Sequence, residues 1–174
     1  NSVRNGGISF QNTSTNNLFR FNYKDVIYLN DSYGKIVSTK IQGNTLRVWQ
    51  ERHNASVYIG GIETANQDGT TQIIRSDKVL GSYRYSEANN YGLQVKTAIV
   101  DTGSACYAWD LINGTVVKDS NGVMSITGRV SLGDYANDFK MERFFKESSK
   151  KVLSKDSFTI SLGYNKDNGT LFVS

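Results

Sequence analysis

The chain has 174 residues, with 20 Lys and Arg against 16 Asp and Glu and a net charge of +4. That length fits one domain with a genuine core, and no run approaches the roughly 18 consecutive apolar residues that cross a bilayer as a helix. One Cys excludes an internal disulfide and a four-cysteine zinc site, one His excludes a three-histidine metal site, and no cofactor is expected. The mild positive charge permits weak attraction to nucleic acid, anionic glycans or lipid headgroups without demanding any of them. Pro is absent, while ten Tyr and eight Phe are present. Every backbone N–H can therefore join a sheet ladder, and the aromatic residues suit pleated, half-buried surfaces.

Residues 1–17 are polar, with Val3, Ile8 and Phe10 as the apolar anchors. They read as an arm that packs on a neighbouring subunit, followed by a single β-rich domain over 18–174. Period-two segments begin at 18–23 and 26–29. A hairpin is predicted between 35–42 and 45–50 through the two-residue loop Gly43-Asn44. In that register Ile41 faces Leu46, Thr39 faces Val48 and Lys40 faces Arg47. Like charges opposed across a ladder cost stability. Lys40 and Arg47 are therefore a candidate site for an anion such as phosphate, sulfate or carboxylate.

Further strands are expected at 56–62, 72–74, 79–85, 93–100, 115–117, 124–132, 158–164 and 170–173. Asp68-Gly69, Asn121-Gly122 and Asn168-Gly169 supply turn chemistry between them. In the last hairpin Phe158, Ile160, Leu162 and Tyr164 line one face. Gly60-Gly61 inside an apolar strand reads as a bulge or a close backbone approach. One segment has helical spacing. Asp138 can cap a helix over 139–153 with Met141, Phe144, Phe145 and Val152 as its apolar stripe. Glu142–Lys146 and Glu147–Lys151 are i,i+4 pairs, and Lys140, Arg143 and Lys150 form a solvated basic face. The expected fold is mainly β: an antiparallel sandwich or jelly roll of about ten short strands with this one amphipathic helix.

The strongest local signal for chemistry is Ala98-Ile99-Val100-Asp101-Thr102-Gly103-Ser104-Ala105. It resembles the active-site signature of aspartic peptidases, in which an apolar strand leads into Asp-Thr-Gly-Ser or Asp-Thr-Gly-Ala. The resemblance implies a catalytic Asp101, with Gly103 admitting its twin and Thr102 bracing the loop. Two such carboxylates share one proton and activate water. One motif per chain requires a homodimer of the retroviral type. The likeness covers at most residues 90–174. Ser161 interrupts the family's apolar pair, Lys166 and Asp167 stand where a short apolar helix belongs, and the 139–153 helix lies where the family runs strands. As plain turn chemistry the same Asp-Thr-Gly needs no catalytic role.

His53 with Cys106, or with a Ser, is the remaining nucleophile–base possibility, but no nucleophile motif surrounds either residue. Cys106, between small and apolar residues, reads as a buried, inert thiol. The acidic segments near Asp68, Asp119 and Asp167 read as turns without the alternating ligands of a calcium loop, and no phosphate-binding glycine loop occurs. Five Asn-x-Ser/Thr sequons start at Asn12, Asn30, Asn54, Asn113 and Asn168, in a chain rich in all three residue types.

The composition leads to the expectation of a non-enzymatic structural or adhesive subunit of an extracellular, cell-surface or virion assembly: a filament, a shell, or a receptor- or glycan-binding module. Its partners are expected to be identical subunits, with a receptor, glycan or other anionic ligand as a second class.

Overall fold

The computed structural model describes residues 1–6, 21, 23, 25–66, 70–86, 90–120, 123–127, 135–154 and 160–174. Among them it is mainly β with one helix, in antiparallel sheets throughout. In one four-stranded sheet, β3 (Ile36–Gln42), β4 (Thr45–Gln50), β5 (Asn54–Ala65) and β6 (Thr71–Tyr85) follow one another. A second holds β7 (Ile99–Asp101), β8 (Cys106–Asp110), β9 (Thr115–Ser120) and β10 (Val123–Thr127) in the same meander order. Two short ribbons complete the set. β1 (Ser2–Arg4) pairs with β2 (Val26–Tyr28), and β11 (Leu162–Asn165) with β12 (Thr170–Val173).

The faces follow from strand alternation. Val48, Ala55 and Val57 point to one side of the first sheet, where Leu29 and the half-buried Val3 and Ile27 of the β1–β2 ribbon cover them. Trp49 points to the other side, into a larger core with Ile99, Cys106, Ala108 and Val117 of the second sheet. Trp109 and Val116, directly paired in register, belong to the opposite face of that second sheet. There Trp109 meets Phe145 edge-on at 5.0 Å and donates its indole N–H to Ser149 Oγ at 2.9 Å. Both partners sit on the helix α1 (Tyr135–Leu153), which closes that face. The two sheets stacked on Trp49 make the sandwich.

The Gly43-Asn44 hairpin forms in the expected register, with Ile41 opposite Leu46 and Lys40 opposite Arg47. Gly60-Gly61 is both a bulge and a close approach. Between the pairs Ile59↔Leu80 and Gly61↔Arg75, β6 runs five residues while β5 runs two, and Gly60 takes a left-handed φ of 65°. A Cβ on Gly81 would lie 1.5 Å from the Gly61 carbonyl oxygen, so only glycine fits there. The kink returns Glu63 to the base of the ribbon, where its N–H donates to Ser82 Oγ at 2.7 Å and its carboxylate meets Arg84 at 3.2 Å.

Several expected elements change. Segments 72–74 and 79–85 are one strand, because the extra residues of β6 are absorbed as a bulge rather than a break. Of 93–100 only Ile99 and Val100 enter a strand. The Leu93 N–H goes to Gln50 O and the Ala98 N–H closes a turn onto Val95 O, so these donors leave no ladder to build. β8 lacks period-two alternation because four of its five residues are buried, on both faces of an inner strand. The helix begins at Tyr135, which puts Asp138 inside it rather than at its cap. Phe145 and Val152 of the expected stripe face inward, joined by the buried Ser149, whereas Phe144 is half exposed and the side chain of Met141 lies outside the described residues. Arg143 and Glu147 form an intrahelical ion pair at 2.7 Å, and the expected Glu142–Lys146 pair involves a side chain outside the described residues.

Strand 124–132 is described only to Thr127, and strand 158–164 as a strand only from Leu162. Most of 18–23, the turns at Asp68-Gly69 and Asn121-Gly122, and Asn12 lie outside the described residues. Of residues 1–17 the first six are described, and Ser2–Arg4 pair within the same chain. No helix among the described residues is long and apolar enough to cross a membrane.

Candidate functional site

Asp101, Cys106, Lys40 and Arg47, all singled out in the sequence, meet in the layer between the two sheets. Asp101, Cys106 and Asp119 stand in one row across β7, β8 and β9, each directly paired with the next. Cross-strand partners share a face, and this row faces Lys40, Gln42 and Arg47 of the first sheet. Gln42 Nε2 donates to Cys106 Sγ at 3.2 Å. The Arg47 guanidinium donates to the Asp119 carboxylate, both side chains almost wholly buried. Lys40 stands opposite Arg47, and the carboxylate beside that pair belongs to the protein itself. Asp119 lies in a buried strand rather than in the acidic turn expected for it.

The Asp-Thr-Gly-Ser segment is the loop of the β7–β8 hairpin. The Gly103 N–H donates to Asp101 Oδ1 at 2.8 Å, and Gly103 carries a φ of 88° that a side chain would strain. The Thr102 N–H donates to Ala105 O at 2.9 Å, while its hydroxyl accepts from the Ala105 N–H at 3.2 Å. Asp101 and Thr102 thus spend these groups on closing their own turn, and both are half-buried.

Burial, reinforced by the Asp101 and Asp119 carboxylates, pushes the Cys106 thiol up to about 12. A thiol so placed stays protonated near neutrality and is no nucleophile there. His53 lies elsewhere, packed against Tyr33 and Tyr85 at ring separations of 4.5 and 5.1 Å. Burial holds its pKa below the ordinary value, and its Nδ1 accepts the Asn54 N–H at 2.9 Å. The structure therefore does not bring His53 and Cys106 together as a pair. Among the described residues no group of three His, Cys, Asp or Glu is placed to hold a metal.

A cavity of about 350 Å³, which no sequence motif announced, lies where three connections meet. Tyr33 comes from the turn Asp31–Tyr33, Arg52 from the β4–β5 connection, and Asp110, Ile112 and Asn113 from the β8–β9 hairpin; Asn90 adds a further edge. Asp110 is the hub of this wall. Its Oδ1 accepts the N–H groups of Ile112 and Asn113 and the Gln94 amide, at 2.9, 3.2 and 3.1 Å. Its Oδ2 accepts the Gly92 N–H at 3.0 Å and the Asn113 amide at 2.6 Å. Five donors thus satisfy a carboxylate that is 1% exposed. The Asp110-x-x-Asn113-Gly114 spacing, an acidic residue ahead of an Asn-Gly turn, is the signal in the sequence that could have marked this wall and was not read as one.

The sequons separate on burial. Asn54 is 1% exposed, and both amide hydrogens of Asn113 have acceptors, Asp110 and the Asn90 carbonyl. Asn30 accepts the Ser32 N–H at 3.0 Å, and Asn168 sits in the exposed β11–β12 turn, where it accepts the Thr170 N–H at 3.1 Å.

No protein-family model matches this chain, and no curated protein matches it in sequence.

Proposed function

We propose that the protein is a non-enzymatic structural or adhesive subunit of an extracellular or virion assembly, and that identical copies are its first partners. The observation that carries this reading is the β5–β6 ribbon. Beyond Tyr58, β5 has no ladder partner among the described residues except β6, because β4 ends opposite it at Thr45. Two-stranded ribbons are marginal in water on their own. This one nevertheless leaves Ile62, Ile73 and Ile74 37%, 57% and 45% exposed, with Ile62 directly opposite Ile74. Burying an isoleucine side chain stabilises by about 1.5–3 kcal/mol, so a neighbouring subunit is the natural cover. The edge strands β3 and β6 also lack the prolines that blunt edges. The extracellular or virion setting rests on composition: Tyr- and Asn-rich turns around dense β structure.

The test is sedimentation and electron microscopy of the purified protein beside a variant carrying Ile73→Asp and Ile74→Asp. The proposal requires ordered oligomers from the natural chain and monomers from the variant, with identical circular dichroism. A natural chain that stays monomeric at about 100 μM refutes it.

A further inference from the structure

The cavity between the Asp31–Tyr33 turn and the β8–β9 hairpin combines features that the assembly reading does not use. Arg52 is exposed, has no ion-pair partner among the described residues and lines a space of about 350 Å³. The nearest carboxylate in the wall, Asp110, is turned inward onto five donors and has no free lone-pair direction to offer a cation. Arg52 is therefore the charge that the cavity presents. A planar guanidinium recognises a carboxylate through two parallel hydrogen bonds.

The remaining wall is mixed. Both amide hydrogens of Asn113 are committed to the protein, which fixes that side chain and leaves its carbonyl oxygen as an acceptor. The Tyr33 ring is clamped by His53 and Tyr85, at 4.5 and 4.8 Å, so it forms a rigid aromatic wall. Ile112, 54% exposed, supplies an apolar patch beside it. A preformed space with one cation, fixed amide groups and an aromatic ring suits a small polyhydroxylated ligand with apolar ring faces. We propose that this cavity binds a carboxylate-bearing sugar, one acidic monosaccharide unit in size, with Arg52 on the carboxylate and Asn113 accepting from a hydroxyl. The proposal is independent of self-assembly, since the ribbon and the cavity share no residue.

The probes are D-glucuronate, D-glucose as its neutral counterpart, and acetate and glycylglycine as carboxylates without a sugar ring. Each is titrated into the isotope-labelled protein and followed by amide NMR shifts. Glucuronate is expected to shift the amides of Tyr33, Arg52, Ile112 and Asn113 with a dissociation constant of about 1 mM, and the other three to bind at least about tenfold more weakly. Arg52→Gln, an exposed change that leaves the Asp110 hub intact, is expected to weaken glucuronate at least about tenfold with an otherwise unchanged spectrum. Absence of any glucuronate shift at about 20 mM overturns the proposal, as does equal binding by Arg52→Gln. Glucose binding as tightly as glucuronate removes the role given to Arg52. Acetate or glycylglycine binding as tightly removes the sugar and leaves a simple carboxylate site.

Discussion

Arg47 on β4 and Asp119 on β9 form an ion pair across the interior of the sandwich, one partner from each sheet and each almost fully buried. Gln42 and Cys106 make a second polar contact in the same layer. A buried pair gains little over a well-packed apolar pair, but it fixes which residues of one sheet face which of the other. Breaking one side is another matter.

Asp119→Ala is expected to destabilise the protein by about 3–5 kcal/mol, because it leaves the Arg47 charge in a dry interior. The double variant Arg47→Met with Asp119→Leu should recover most of that loss. Urea unfolding of the four members of the cycle measures it. A cost below about 1 kcal/mol for Asp119→Ala means that water reaches the pair.

His53 gives stability a pH dependence of definite sign. Burial lowers its folded-state pKa below the value of about 6.5 that it has when unfolded. Between those two values the unfolded chain binds the extra proton, so stability rises with pH through that window and falls as pH drops below about 6.5. Replacing His53 with Phe, which keeps an aromatic ring between Tyr33 and Tyr85, should flatten this part of the profile. Melting temperatures from pH 7.5 to 5.0 for both proteins decide it; parallel profiles would refute the assignment.

Cys106 acts in the opposite direction. Its folded pKa is raised to about 12, so the contribution is complete below the ordinary thiol value and is lost as pH climbs from there toward 12. Native protein at pH 8 should resist a thiol reagent such as iodoacetamide for hours, and react within minutes in about 8 M urea. Rapid native labelling would show that the sheets separate readily at that point.

Asp101 offers the contrast between turn and catalyst. Asp101→Ala removes the acceptor of the Gly103 N–H and should cost about 1–2 kcal/mol. Asp101→Asn keeps an oxygen in place and should restore most of the stability. The peptidase resemblance makes a different demand: cleavage of an unfolded protein substrate at acidic pH, abolished in Asp101→Asn. An activity that follows this variant would reverse the structural assignment.

Much of the β organisation was legible in the chain. The Gly43-Asn44 hairpin, its register, the glycine bulge at 60–61 and the β11–β12 turn all rest on local chemistry, in which a few neighbouring residues decide the backbone. The pairing of Lys40 with Arg47 was readable for the same reason. Local pattern failed where burial is two-sided or irregular. β8 has no alternation to read, Leu93 and Ala98 give their N–H groups to the backbone carbonyls of Gln50 and Val95 rather than to a ladder, and Phe144 of the expected helix stripe is half exposed.

The fold class, the Gly43-Asn44 and Asn168-Gly169 turns and the register of the first hairpin could thus be read from residues near one another in the chain. Only the tertiary structure decided what faces those neighbours. Asp119 meets Arg47 from 72 positions away, and Cys106 meets Gln42 from 64. The cavity of Arg52 draws its walls from three separate connections. Such contacts depend on how one sheet stacks on another, and the face of a strand pairs with a partner that its own periodicity cannot name.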